Sequence, residues 1–188
     1  MSELMWIRSH VERLLQDEWN QCRVRPDADG DIPFRRGTAA GWVTVIEADE
    51  LPMVRVLAVA AVDIKPTAAV YRELNDIQQR CTSAAVLLAD GRIYVSQTIS
   101  PIGLTRPVLA QALNAVGGVA DDIGLLLAGM FNGSTPYPAE TTVPEDEDAT
   151  LNAPGEPGLP GHPDRVRRST GADGSGVWRQ LQARRSGG

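Results

Sequence analysis

The stretch Met53-Val54-Arg55-Val56-Leu57-Ala58-Val59-Ala60-Ala61-Val62 is apolar at every position except Arg55. In a strand, successive side chains point to opposite faces, so such a run is apolar on both sides and asks for cover on both. Val56–Val62 is too short to cross a membrane and reads as a strand. It leads through Asp63-Ile64 into Lys65-Pro66-Thr67, where a helix is expected to start with proline in its first turn. Val70, Leu74, Ile77 and Cys81 then recur at i, i+4, i+7 and i+11, the spacing of one helical face. A two-sided strand is therefore expected to feed an amphipathic helix.

Working outward, Trp42–Glu47 reads as a partner strand, joined to the first by Asp49-Glu50-Leu51-Pro52. On the far side of the helix, Ala85–Ala89 and Arg92–Ile99 flank Asp90-Gly91, a strong signal for a tight hairpin. Two further helices bracket the set. Leu4, Ile7, Val11, Leu14, Leu15 and Trp19 share one face of the first, with Ser2 as its N-cap. Thr105 caps the last, Pro107 sits in its first turn, and Leu109, Leu113, Val116, Ala120, Ile123, Leu127 and Met130 form its stripe. Gly117-Gly118 interrupts that stripe as either a kink or a close packing point. Arg23–Arg25 reads as a short strand and Asp27–Gly37 as a polar loop. Neighbouring strands joined by short links pair antiparallel. The expectation is an α+β fold, order α-β-β(-β)-α-β-β-α, with helices mainly on one sheet face.

Composition narrows the function. The 188 residues carry 18 Lys+Arg and 24 Asp+Glu, a net charge of −6, which lacks the basic footprint of nucleic-acid binding. Two cysteines, Cys22 and Cys81, form neither a metal-ligand spacing nor a disulfide framework. His10 and His162 are the only histidines, too few for most histidine chemistry. Glu3, Arg8 and His10 break the apolar core that a signal peptide needs, and no stretch reads as a membrane span. A cytoplasmic protein with two free thiols follows. Residues 1–131 read as the folded domain. Residues 132–188 hold seven of the 13 prolines and nine of the 18 glycines, with few large apolar residues to offset ordering entropy, and read as a disordered tail.

Several pieces carry a family likeness. Val59-Ala60-Ala61-Val62-Asp63-Ile64-Lys65-Pro66 is similar to a strand leading into a middle helix, and Glu73-Leu74-Asn75-Asp76-Ile77 to that helix. Ala89-Asp90-Gly91-Arg92-Ile93-Tyr94-Val95 is similar to the hairpin after it, and Phe131-Asn132-Gly133-Ser134-Thr135-Pro136 to the close of the domain. In this order they resemble the secretion-chaperone-like fold, and more narrowly the YbjN-like and actinobacterial peptide-binding-chaperone families grouped with type III secretion chaperones. The resemblance covers about two thirds of the chain. It implies a peptide- or protein-binding module and brings no catalytic motif with it.

The candidate sites are few. Asp27, Asp29 and Asp31 begin like a calcium loop, but Ile32 and Thr38 stand where glycine and glutamate are needed, so the segment reads as a solvated loop. Cys81 with Ser83, or His10 with an acid, lacks a third orienting group. Core packing for Cys81 and a surface position for His10 are expected. In the tail, Gly155–Gly161 is collagen-like over about two triplets only and reads as a polyproline-biased linker. Glu145–Asp148 reads as a solvated acidic run that can attract a basic partner. Val177–Arg185, with Trp178 and Leu181, reads as a tail segment with an incidental tryptophan, the alternative being one amphipathic turn that docks in a groove.

The sheet is the better binding element. Ile93, Val95 and Ile99 share one face of their strand and should meet the helices, whereas Arg92, Tyr94, Ser96 and Thr98 share the other. Three helices are too few for both faces, so the reverse face is either covered by a partner or second copy, or is an Ala-rich surface left exposed. The expected function is a non-enzymatic, chaperone-like adaptor without cofactor or metal. It would hold a protein or peptide client, such as a secreted or regulatory protein, through this face and the edge of the first helix. Trp42, Arg55 and Tyr94 are the partner-binding candidates. A small-ligand-binding regulator and a client-free structural homodimer are the alternatives, and no nucleic-acid or membrane partner is expected.

Overall fold

The computed structural model describes residues 3–48 and 51–139. Its elements are α1 (Glu3–Trp19), β1 (Ile32–Arg36), β2 (Ala39–Ala48), β3 (Leu51–Ala61), α2 (Ala68–Arg80), β4 (Ala85–Ala89), β5 (Arg92–Ile99) and α3 (Arg106–Phe131). The strands form one sheet in the order β1-β2-β3-β5-β4, antiparallel at every pairing. The two-sided run is β3, and it is the central strand. β2 pairs with it from Ala40↔Val59 to Ala48↔Leu51, and β5 takes its other side from Val54↔Ile99 to Ala61↔Ile93. Asp90 and Gly91 close the β4–β5 hairpin, both at positive φ (49° and 72°), as the primed turn of a two-residue hairpin requires.

All three helices contribute to one core against one sheet face. Val43, Val54, Val56, Ala58, Ile93 and Val95 point into it from the strands. Ile7, Val11 and Leu15 of α1, Val70, Leu74 and Ile77 of α2, and Leu109, Val116, Ala120 and Leu127 of α3 meet them. Each large aliphatic buried this way contributes about 1.5–3 kcal/mol. A bulge between Val59 and Ala61 in the β3·β5 ladder turns the strand end, and Ala60 and Ala61 both enter this core at 0% exposure.

Glycines set how closely α3 lies on the sheet. A Cβ on Gly124 would stand 2.6 Å from the Ala60 carbonyl oxygen, and one on Gly117 would stand 3.3 Å from the Phe34 ring. The helix runs unbroken through Gly117-Gly118, so this pair is a packing point and not a kink. Asp121 fastens the helix to the β1–β2 turn. Its Oδ1 accepts hydrogen bonds from the Thr38 amide (2.8 Å) and hydroxyl (2.9 Å). By length and composition α3 would suit a membrane, but its stripe packs on the sheet as that of a soluble core helix does. Met130, expected in that stripe, is 49% exposed, and Ala128 is buried in its neighbourhood instead. Asn132 ends the helix in the left-handed conformation, and its amide reaches back to the Ala128 carbonyl.

The structure revises three local expectations. Arg23–Arg25 is not a strand; Val24 alone is buried there. The edge strand is instead β1, inside the segment read as a polar loop. Ile32 and Phe34 alternate with Pro33 and Arg35, and proline is tolerated because the strand is at the edge. Pro66 precedes the α2 cap rather than lying in the first turn, because the Thr67 hydroxyl accepts the Val70 amide and the helix starts at Ala68.

Contacts with the domain also run past Phe131. Ser134 pairs antiparallel with Val62 through two backbone bonds of 2.8 and 3.0 Å, and the Tyr137 amide donates to the Thr38 carbonyl at 3.1 Å. Proline-rich composition hides these attachments, because one bridge and one anchored ring suffice to hold a short segment. Ser2, Asp49-Glu50, Glu145–Asp148, Gly155–Gly161 and Val177–Arg185 lie outside the described residues, as does the expected disorder of residues 140–188.

Candidate functional site

Strand parity puts Trp42, Arg55 and Tyr94 together on the sheet face turned away from the helices. They stand in three successive rows. One runs Arg35, Ala40, Val59, Tyr94, Leu87; the next Pro33, Trp42, Leu57, Ser96, Ala85; the third Thr44, Arg55, Thr98. Rows on one face lie about 7 Å apart. The three candidates therefore share a surface without forming one contact triad, and Leu57 and Val59 fill the space between them.

The face is not the open surface the sequence suggested. Ala40, Trp42, Leu57, Val59, Tyr94 and Tyr137 form a second apolar cluster, with Trp42 at 1% exposure and Tyr94 at 4%. Tyr137 is its one fully buried member from outside the five strands. The guanidinium of Arg35 lies over the Tyr137 ring, 4.4 Å from its centroid, and the Arg35 Nε donates to the Gly37 carbonyl. The chain thus closes the β1–β2 end of the face itself. Toward the other end Thr44 is buried and donates to Asp31, while Arg55 is half-buried. By parity Arg35, Arg55 and Arg92 lie on this face, with the Asp31 carboxylate at its β1 side.

Arg35, Leu57, Val59 and Tyr137 belong to this surface and were not singled out from sequence. Leu57 and Val59 share the parity of Arg55 and were findable by it. Tyr137 sits in a segment whose composition carries no strand or helix period, so no local signal marked it.

The remaining candidates resolve into structural roles. The Asp27 carboxylate accepts the amides of Asp29 and Asp31, a turn motif that organises the loop. Asp31 is 2% exposed and not solvated, because it is bonded to Thr44. No cluster of metal-ligating side chains occurs among the described residues. The His10 ring stacks on Trp6 (centroids 5.5 Å apart, 9° between planes) and links the Leu104 carbonyl to Arg13, so it ties α1 to the loop before α3. Cys81 caps α2 and packs half-buried against the core, and Cys22 is exposed. A hollow lined by Gln16, Asp17, Asn20, Gln21, Cys22 and Arg106 lies wide open between the end of α1 and the start of α3.

Residues 5–139 match the family model described as T3SS (YopN, CesT) and YbjN peptide-binding chaperone 1. The chain belongs to this family. The match spans all eight elements and ends just past Tyr137, so the segment closing the reverse face is part of the family domain. The peptide-binding chaperone also has neighbours among solved structures. One is the crystal structure of the ExsC–ExsE complex, with TM-score 0.52, 15% identity, and coverage of 64% of this chain and 95% of that chain. Another is the Yersinia pestis type III secretion chaperone SycH in complex with a stable fragment of YscM2, with TM-score 0.47, 12% identity, and coverage of 64% and 98%. At 15% identity the likeness to the ExsC–ExsE structure is one of fold alone. No curated protein sequence matches the chain. The α+β secretion-chaperone fold and the family expected from sequence are both found, and the protein is a non-enzymatic, peptide-binding chaperone.

Proposed function

We propose that this chaperone holds an extended peptide of its client along the part of the reverse face that stays partly exposed, Met53, Leu87 and Ser96 beside Arg55, at the border of the buried Trp42, Leu57 and Tyr94 cluster. The observation that carries the reading is this partly exposed apolar border, with Arg35, Arg55 and Arg92 on the same face. Apolar side chains of the client supply the burial. Its carboxylates meet guanidinium groups in charge-assisted hydrogen bonds, which set direction and register. The favoured client segment is therefore apolar and acidic. Free thiols at Cys22 and Cys81 support action in a reducing compartment, the cytoplasm.

Selection of 12-residue peptides from a random displayed library on the full chain tests this. Enriched peptides should combine aliphatic or aromatic residues with Asp or Glu, and the Arg55→Glu, Arg92→Glu variant should turn the preference to Lys and Arg. Circular dichroism and the urea midpoint check that the variant is folded. An unchanged charge preference in the folded double variant refutes the reading.

A second reading, self-association, is favoured by Leu125, Leu126 and Met130 of α3, which are 53%, 54% and 49% exposed on one side of the helix. Light scattering of the full chain and of Leu126→Glu tests it. A dimer that the substitution dissociates supports a second copy on α3, and a monomeric wild type rules it out.

A further inference from the structure

One end of the reverse face is closed by a ring that the chain brings back to it. After α3, Asn132 turns the chain in the left-handed conformation, and residues 133–138 return to the sheet as a strap. The Tyr137 ring is buried in the cluster of Ala40, Trp42, Leu57, Val59 and Tyr94, with the Arg35 guanidinium over it, 4.4 Å from its centroid. The Tyr137 amide donates to the Thr38 carbonyl at 3.1 Å. This seat therefore holds an aromatic side chain in three ways: an apolar floor, a cation over the ring, and a carbonyl that takes the amide of the residue bearing the ring.

The strap around the ring is lightly attached. Ser134 exchanges two backbone bonds with Val62, and its hydroxyl donates to the Asp63 carboxylate at 3.2 Å. Pro136 and Pro138, on either side of Tyr137, have no amide to give the sheet. Tyr137 is the one buried residue of 133–139; Ser134, Pro138 and Ala139 are exposed, and Gly133, Thr135 and Pro136 are half-buried. A segment fastened by one ring and a single bridge belongs to the low-stability end of a fold, where local opening costs least. The seat is also continuous with the client surface. Arg35, Ala40, Val59, Tyr94 and Leu87 form one row across the strands, and Leu87 at its far end is partly exposed.

We propose that the seat of Tyr137 is an anchor pocket for a tyrosine or phenylalanine side chain of an extended client peptide, which displaces Tyr137 and lifts the strap. This deepens, and rests on, the reading of the reverse face as the client site. The incoming residue repeats what Tyr137 does, its ring under Arg35 and its amide on the Thr38 carbonyl, so the sheet itself does not have to move. Such a peptide binds the state with the strap lifted, and its apparent affinity falls by the fraction of molecules in that state. With about 1–10% of molecules open, the loss is about 10- to 100-fold. A peptide without an aromatic ring gains nothing from the opening and is held by the partly exposed border alone.

The test titrates the full chain calorimetrically with an unlabelled synthetic peptide that has the sequence of residues 133–139. Tyr137→Ala empties the seat, and this variant should bind the peptide about 10-fold or more tightly than the wild type does. Peptide should also raise the urea midpoint of the variant. The same peptide with alanine in place of its tyrosine should show no such gain, and adding Arg35→Ala to the variant should remove most of it. Ser134→Pro deletes one amide of the bridge to Val62 and leaves every residue of the seat in place. It should tighten binding by a smaller factor, and it decides the question if Tyr137→Ala does not fold. Equal affinities for the wild type and the folded variants, no binding to any of them, or a gain that persists without the peptide's tyrosine each overturn the pocket. The Arg55- and Arg92-dependent charge preference in the library selection does not involve the strap. If that preference appears while the ring-dependent gain does not, the pocket falls and the client-site reading stands.

Discussion

Two glycines of α3 allow the packing of this helix to be measured with one substitution made twice. Alanine at Gly124 would place its Cβ 2.6 Å from the Ala60 carbonyl oxygen, whereas at Gly118 nothing lies within 4 Å. The Ala60 oxygen is backbone in the central strand and cannot swing aside, so α3 must lift by about 0.6–0.8 Å or the strand must distort, an overpacking cost of about 1–3 kcal/mol. Both replacements gain the same helix propensity, about 1 kcal/mol over glycine. Gly118→Ala should therefore stabilise the domain by about 1 kcal/mol. Gly124→Ala should range from neutral to about 2 kcal/mol destabilising. The difference between the variants, about 1–3 kcal/mol, cancels propensity and reports the contact alone. With a urea slope of about 2 kcal/mol/M, their midpoints should differ by about 0.5–1.5 M. Equal midpoints would mean that α3 does not lie against β3 at Ala60, and the assignment of the helices to this face would fall with it.

Other consequences are open to similar measurement. Gln78 of α2 donates to the carbonyls of Cys81 and Ala84 and accepts the Val86 amide, so it fastens α2 to the start of β4. Gln78→Ala should cost about 1–3 kcal/mol in urea unfolding and speed hydrogen exchange at Val86. Asp121→Ala removes the acceptor for both Thr38 groups and should cost about 1–3 kcal/mol, while Asp121→Asn, which keeps one oxygen, should cost less than half as much by the same measure. Tyr137→Ala opens the sealed end of the reverse face. It should cost about 2–4 kcal/mol and raise binding of a hydrophobic dye, whereas an effect under about 0.5 kcal/mol would show that the ring does not close that face.

The sequence by itself determined the elements with a clean period. Val70, Leu74 and Ile77 mark α2 at spacings of four and three, and all three are buried. The alternation in Arg92–Ile99 predicted which side chains meet the helices, and the ladder to β3 agrees. The two-sided run at β3 called for cover on both faces, and the structure buries Leu57 and Val59 on one and Val54, Val56 and Ala58 on the other. These signals are legible because each is a relation between residues a few positions apart. Only the tertiary structure decided the rest. β1 reads as a loop until Phe34 is seen lying over Gly41, where a Cβ would stand 2.3 Å from the ring. Gly117 reads equally as a kink or a contact until Phe34 and Arg36 are found against it. The composition of the candidate face was half legible, since parity groups Trp42, Arg55 and Tyr94. Its closure by Tyr137 was not, because that ring meets Arg35 from about a hundred residues away. Local periodicity says which way a side chain points, but what it points at depends on contacts between distant parts of the chain, and those form only when the whole chain has folded.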